Sequence, residues 1–382
     1  MSVKTLILFI FLFSFFVVKA EEPQKKTTQE NENVSVKVET KDEKEEKKLG
    51  FIAFPIVFYS SDTNFGFGAS AVIHKEHYKD KYVSKSNSLA MVFFYTLRNQ
   101  MLSANVGNLY WNNADWHWKS RLTFKKYPTD FYGIGNDTTP DAHEVFEPFT
   151  FKFENSINRR VWRSFYIGLA LSQGYHMLIK SKKEGLARSY FDKHRKEGFI
   201  SGIGFRLSYD STDDSFFPTS GSFAEVSYQY HPFWLGSKYS FSRVFIDGRT
   251  FVKIPIPKFE SVLGFQLMFE GVSGNAPLSF LPTIGDKDMM RGYVGDRFRD
   301  NYMIAAQTEW RFPIYWRFGG TLFFAAGRVM HNFTDFIFSD LKYGGGFGIR
   351  VRLAKKKKIN LRFDMGFTPE GYKFYFNLLE AF

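Results

Sequence analysis

The chain contains no cysteine. That removes disulfides, thiol nucleophiles and thiolate metal ligands, and it excludes a lipoprotein anchored through a cysteine after its leader. Long apolar runs are scarce as well. Leu6 to Val18, interrupted only by Ser14, falls short of the roughly 20 residues that a spanning helix needs, and no later stretch is long and apolar enough either. Signatures of chemistry are missing too. Neither a Gly-x-Ser-x-Gly nucleophile elbow nor a glycine-rich phosphate loop ending in Lys-Ser or Lys-Thr occurs. The expectation is a protein that is not an enzyme and holds no cofactor and no metal.

What the first residues do contain is an export signal. Lys4 supplies a positive start, the apolar run follows, and Val18-Lys19-Ala20 offers a cleavage site, so residues 1–20 read as a signal peptide ending at Ala20. Residues 21–50 are a different material, dominated by Glu, Lys, Thr, Gln and Asn with three valines. Such a segment buries too little apolar surface to fold and reads as a disordered, charged periplasmic tail. The net charge of +12 suggests nucleic acid in a cytosolic protein. Export argues against a nucleic-acid partner and turns the basic surface toward anionic lipid or lipopolysaccharide phosphates. The loop with Lys180, Lys182, Lys183, Arg188, Lys193, Arg195 and Lys196 is the candidate contact. Solvated loops and lumen lining explain the same charges.

From residue 51 to 382 the pattern alternates with period two. Trp116, Trp118, Leu122 and Phe124 share one face while His117, Lys119, Arg121, Thr123 and Lys125 share the other. Ile359, Leu361, Phe363 and Met365 likewise oppose Asn360, Arg362, Asp364 and Gly366. Aromatic residues make up 19% of the chain, yet its mean hydropathy is slightly negative. A lipid-facing aromatic exterior around a polar lumen accounts for both, so the fold class is an all-β transmembrane antiparallel β-barrel. Counting the runs predicts about sixteen strands, from 51–60 and 65–77 through 357–367 and 371–382, with one tight turn at Asn158. The connections 127–144, 176–196, 273–301 and 331–341 are long and fall on one side. The others are mostly short.

Several motifs resemble the bacterial surface antigen family, the BamA- and TamA-like superfamily of outer-membrane assembly and translocation barrels. The sixth long-side loop, between the eleventh and twelfth strands, carries Met290-Arg291-Gly292-Tyr293 and Arg297-Phe298-Arg299, and the next strand carries Glu309-Trp310-Arg311-Phe312. Tyr132-Gly133-Ile134-Gly135-Asn136-Asp137, the turn from Asp210 to Gly221, Gly344 to Arg350, and the terminal Glu380-Ala381-Phe382 follow in the family's order. The resemblance covers 51–382. It implies a barrel-only member without periplasmic client-binding domains, whose Arg291-Gly292-Tyr293 loop folds into the lumen and gates it.

An arginine beside glycine presents a planar fork of donors on a tight turn, which suits a carboxylate bidentately. Glu309 shares the lumenal face with Gln307 and Arg311 and is the expected partner. The family's second acid lies two residues before a glycine on the thirteenth strand, where this chain has Ala325. That departure leaves the lock weaker or shifts it to Asp364 on the fifteenth strand. Exchanging the charges, Arg291→Glu with Glu309→Arg, is then the natural test. The resemblance also implies a seam between first and last strands, where Pro55 removes a ladder donor or marks a bulge. Phe374, Phe376, Leu378 and Phe382 resemble the C-terminal signal read by the barrel-assembly machinery. Function therefore divides three ways. The leading reading is insertion or transport of protein or lipid clients, the second is a passive or solute-selective channel plugged by the loop, and the third is surface interaction through the outer loops.

Overall fold

The computed structural model describes residues 49–60, 64–79, 84–194, 197–214, 217–256, 259–352, 360–378 and 380–382. The expected signal peptide and almost all of the charged tail lie outside the described residues. Sixteen long strands run in sequence order. They are β1 (Leu49–Ser60), β2 (Asn64–Lys79), β3 (Ser84–Thr96), β4 (Met101–Trp111), β5 (Trp116–Lys126), β6 (Glu144–Trp162), β7 (Phe165–Lys180) and β8 (Glu197–Asp210). The second half comprises β9 (Gly221–His231), β10 (Phe241–Ile256), β11 (Phe259–Gly274), β12 (Tyr302–Tyr315), β13 (Phe318–Met330), β14 (Lys342–Arg352), β15 (Asn360–Thr368) and β16 (Gly371–Leu378). Each pairs antiparallel with the next, from β1–β2 through β15–β16. Among the described residues no ladder joins β16 to β1.

The sheet curls until distant strands meet inside it. Lys85 on β3 pairs with Asp210 on β8, and Lys119 on β5 reaches Glu225 on β9 at 3.2 Å. The polarity of the faces is inverted relative to a water-soluble protein. Arg291, Arg297 and Arg362 are among the largest fully buried side chains, while Leu169, Phe205, Phe265, Phe324, Phe347 and Phe374 stand exposed on the outer face. Strand alternation is what sorts them, since neighbours along a strand point to opposite faces. On β12, Gln307, Glu309 and Arg311 are buried in the lumen between outward Ala306, Thr308 and Trp310. A water-soluble sandwich cannot tolerate this arrangement; a hydrocarbon environment requires it.

Two expectations about strand ends are corrected. The turn expected at Asn158 lies instead at Arg163-Ser164, where Arg163 adopts φ +45°. Asn158 continues β6 and is fully buried, donating to the His117 carbonyl (3.0 Å) and to Ser156 Oγ (3.0 Å). Its turn-forming chemistry misleads because a polar residue pointing into a barrel lumen is ordinary there. The last strand also ends at Leu378, not at Phe382. The loops carry structure that alternation does not signal. Thr129–Phe131 adds a short strand against β6, Thr283–Ile284 pairs with Phe298–Arg299, and Leu186–His194 forms a helix, α1. Glu144 accepts from the backbone N–H groups of Leu186 (2.7 Å) and Ala187 (3.3 Å), capping the positive end of α1. Ala187 and Phe191 pack on Phe146 below.

Candidate functional site

The loop between β11 and β12 enters the lumen and turns sharply at its tip. Met290 (φ +58°) and Gly292 (φ +114°) flank Arg291, so the chain reverses around the arginine and aims its side chain outward from the turn. Arg291 Nη2 lies 2.7 Å from Glu309 Oε2, and Nη1 lies 2.6 Å from Asp364 Oδ2. All three side chains are fully buried, and the guanidinium stacks 3.5 Å over the Phe323 ring. Asp364 on β15 thus supplies the second carboxylate, while Ala325 on β13 is buried in an apolar cluster with Met289 and Met290 of the loop.

Neither acid serves Arg291 alone. Glu309 also accepts from Arg311 at 2.8 Å and has Arg350 at 3.5 Å. Asp364 binds Arg350 at 2.6 Å and faces Arg362 at 3.4 Å. Arg362 in turn holds Asp288 of the loop at 2.6 Å. The tip is therefore one node of a lattice of alternating charges on β12, β14 and β15. Desolvated charges persist in such a place only when each is paired on several sides. In the loop itself, desolvation and then the neighbouring Asp288 carboxylate push Asp286 up to about 6. Asp288 is also desolvated, but Lys287 and Arg362 hold its carboxyl below the ordinary range.

Neutral contacts fix the tip further. Gly292 N–H donates to the Tyr375 hydroxyl (2.9 Å), which itself donates to the Tyr293 carbonyl (3.1 Å), and the Tyr293 hydroxyl donates to the Tyr343 carbonyl (3.2 Å). The loop backbone lies directly on strand backbone. A methyl at Gly366 would come within 2.6 Å of the Arg291 carbonyl carbon, and one at Gly344 within 3.1 Å of its oxygen.

Arg297 is a site residue to which sequence patterning assigns no role. It is 1% exposed, grips Glu370 of the β15–β16 turn through two 2.7 Å bonds, and donates to Thr138 Oγ1 (2.9 Å) and the Thr138 carbonyl (2.8 Å). Its guanidinium also covers the Tyr132 ring at 4.3 Å. The Gly-x-Gly stretch in the third long-side loop exists for this contact: Gly133 and Gly135 take φ +100° and +117°, and Gly135 N–H donates to the Arg299 carbonyl at 2.8 Å. Arg297→Ala is expected to loosen the base of the loop while sparing its tip. Each charge-assisted bond lost is worth about 1.5–3 kcal/mol. The measurement is trypsin cleavage after Arg299, buried in the intact loop, in detergent-solubilised protein, which should accelerate in the variant.

The remaining expected residues sit elsewhere. Pro55 is exposed on β1 opposite Ala69, and the β1–β2 register runs through it without a shift, so no bulge marks the position in that ladder. Phe374 and Phe376 are 70% and 54% exposed on the outer face of β16. Leu378 ends that strand, and its side chain lies outside the described residues. Phe382 leaves the outer face altogether. It is buried against Phe251 and Val262, its carbonyl accepts from Arg311 Nη2 (2.8 Å), and neighbouring Glu380 pairs with Arg350 at 2.7 Å. Glu380 thereby joins the charge lattice through Arg350, which also binds Asp364. In the basic long-side loop Arg188 pairs with Asp192 at 3.1 Å, and Arg195 and Lys196 lie outside the described residues.

Fold and site together define an outer-membrane β-barrel whose lumen is crossed by an arginine-anchored loop. The model of the Omp85 superfamily domain matches residues 30–382, and the chain belongs to that superfamily. BamA from Haemophilus ducreyi lacking POTRA domains 1–3 is similar in structure, with TM-score 0.58 and 13% identity over 87% of this chain and 69% of that one. CdiB from Acinetobacter baumannii is similar too, with TM-score 0.53 and 10% identity over 86% of this chain and 59% of that one. The chain therefore spans about three fifths of the second protein's length. No curated protein sequence matches it.

Proposed function

We propose that this barrel aids the insertion or transport of protein or lipid at the bacterial outer membrane, with the Arg291 loop as the element that closes or opens its lumen. The observation that supports this reading is the fully buried Arg291 between Glu309 and Asp364. The anchor at the tip is ionic, and its charged groups have alternative partners in water and in clients, while Ile284, Met289, Met290, Tyr293 and Phe298 of the loop also pack on Met303, Ala305, Ala325 and Val329 of the wall. The ionic part of the closure is the part that can be exchanged. Pro55 fits a seam on the same reading. A proline carried through a ladder without a register shift has its absent N–H facing away from its partner strand, which here is β2. The other edge of β1 then offers one donor fewer. The barrel-assembly machinery, for the chain's own insertion, and outer-membrane lipid and lipopolysaccharide are the partners this reading implies.

Depletion tests it. Loss of the protein should change the outer-membrane protein profile or lipid asymmetry, and an unchanged membrane ends the proposal. A planar bilayer separates the channel reading: steady conductance of the wild type, together with an unaltered membrane after depletion, favours a solute channel.

A further inference from the structure

The tip of the loop is held on the β12–β15 side of the lumen. Elsewhere in the lumen, strands β5 to β10 border a cavity of about 570 Å³. Six cationic side chains line it, from Lys119, Arg121, Lys152, Arg206, Arg243 and Arg249, against three carboxylates, Glu154, Glu225 and Asp247. The pairing within the wall is incomplete. Lys119 (3.2 Å) and Arg206 (2.5 Å) share the single Glu225, and Arg249 takes Asp247. Arg243 lies 2.7 Å from Glu270 and 3.6 Å from Glu154. Among the described residues no carboxylate lies within ion-pair distance of Arg121 or Lys152, and the Lys152 ammonium stands over the Phe280 ring at 3.9 Å.

Arg206 supplies an independent observation. It is 6% exposed, and among the described residues its Nε and Nη1 have no acceptor. Buried guanidinium donors left without partners are costly, so a wall built this way is completed by something that brings acceptors and negative charge. We propose that the cavity is a binding site for a phosphate-bearing anion. A tetrahedral oxyanion accepts from several arginine forks at once and takes lysine as a point charge. With Glu270 counted against Arg243, the wall keeps two positive charges in excess, which matches a dianion better than a single carboxylate. The volume exceeds that of inorganic phosphate alone, and Phe223 and Phe245 in the wall give an organic portion an apolar flank. Free phosphate esters and lipid head groups share this chemistry.

Isothermal titration of the full detergent-solubilised chain with inorganic pyrophosphate at low salt tests the site. A parallel titration uses phosphatidic acid in mixed micelles, with phosphatidylcholine as the uncharged-excess control. Binding should weaken as salt rises. It should fall roughly 10- to 100-fold in Arg206→Gln, the range that charged hydrogen bonds carry. Because that change touches a buried pair, Arg121→Gln with Lys152→Gln provides a second variant that leaves the Arg206–Glu225 contact in place, and it should weaken binding as well. Pyrophosphate binding with this sensitivity supports a soluble ligand. Binding of phosphatidic acid alone with the same sensitivity supports the site and makes a lipid head group its source. The proposal is overturned if neither probe binds, or if both variants bind as the wild type does. The readout is binding to the purified protein and so stands apart from the loop's role, and Arg188→Gln on α1, outside the cavity lining, should leave this affinity unchanged.

Discussion

Arg291→Glu is expected to expel the loop from the lumen. The change removes one partner from a buried cluster, which by itself costs about 3–5 kcal/mol, and it sets a third carboxylate against Glu309 and Asp364. Trypsin should then cut after Arg297, and conductance in a planar bilayer should rise. Arg297 is 1% exposed in the closed arrangement, so the intact loop should resist cleavage there. If the variant is as resistant as the wild type, the loop is held by something other than this arginine. The exchange of charges that the sequence suggests, Arg291→Glu with Glu309→Arg, is expected to fail as a rescue. Position 309 also faces Arg311 at 2.8 Å and Arg350 at 3.5 Å, so an arginine there would confront two others. A neutral cycle avoids this. Arg291→Met and Asp364→Asn, singly and together, should show a coupling of roughly 1–3 kcal/mol, the range for contacting charged groups. Additive effects would remove Asp364 from the anchor.

How far the sequence reached depended on whether a signal was local or three-dimensional. Alternation is local, and it located all sixteen long strands, because each lumenal residue on a strand declares itself by the apolar residues on either side. Glu309 was legible for that reason. Asp364 was legible only through the family resemblance, as one of two ways the anchor could stand once Ala325 occupies the position of the family's second acid. The arginine lattice was not legible. Arg350 and Arg362 are ordinary alternation residues until the register of β12, β14 and β15 brings them within 2.6–3.5 Å of the same carboxylates. Arg297 escaped because its partners, Thr138 and Glu370, lie 159 and 73 residues away. The helix α1 was hidden differently. A lysine-rich stretch reads as solvated, while the apolar face of Ala187 and Phe191 is too short to outvote it. Phe382 continues the spacing of Phe374, Phe376 and Leu378 in sequence, but the strand ends at Leu378 and the pairing of Glu380 with Arg350 accompanies its turn inward.

Glycine supplies the other large effect, with a sign that distinguishes close packing from mere strand composition. Ala in place of Gly within a strand ordinarily stabilises by about 0.5–1 kcal/mol, because the unfolded chain loses freedom. Gly107 on β4 is such a position. A methyl there meets nothing nearer than a Leu89 carbon at 3.9 Å, so Gly107→Ala should raise the unfolding temperature in detergent or leave it unchanged. Gly366→Ala should do the opposite. Its methyl falls 2.6 Å from the Arg291 carbonyl carbon and 2.7 Å from Gly292 N, both backbone atoms that cannot swing aside. Overpacking of this kind costs about 1–3 kcal/mol. The strain is relieved most simply if the tip lifts off β15, which draws Arg291 away from Asp364 without altering any charge. Gly366→Ala is therefore expected to reproduce the trypsin sensitivity and raised conductance of the Arg291 variants. The same heat stability and resistance in both alanine variants would mean that the tip does not rest on β15 as the glycine contacts describe. Sensitivity in Gly366→Ala alone would make backbone contact, and not charge alone, part of what keeps the lumen closed.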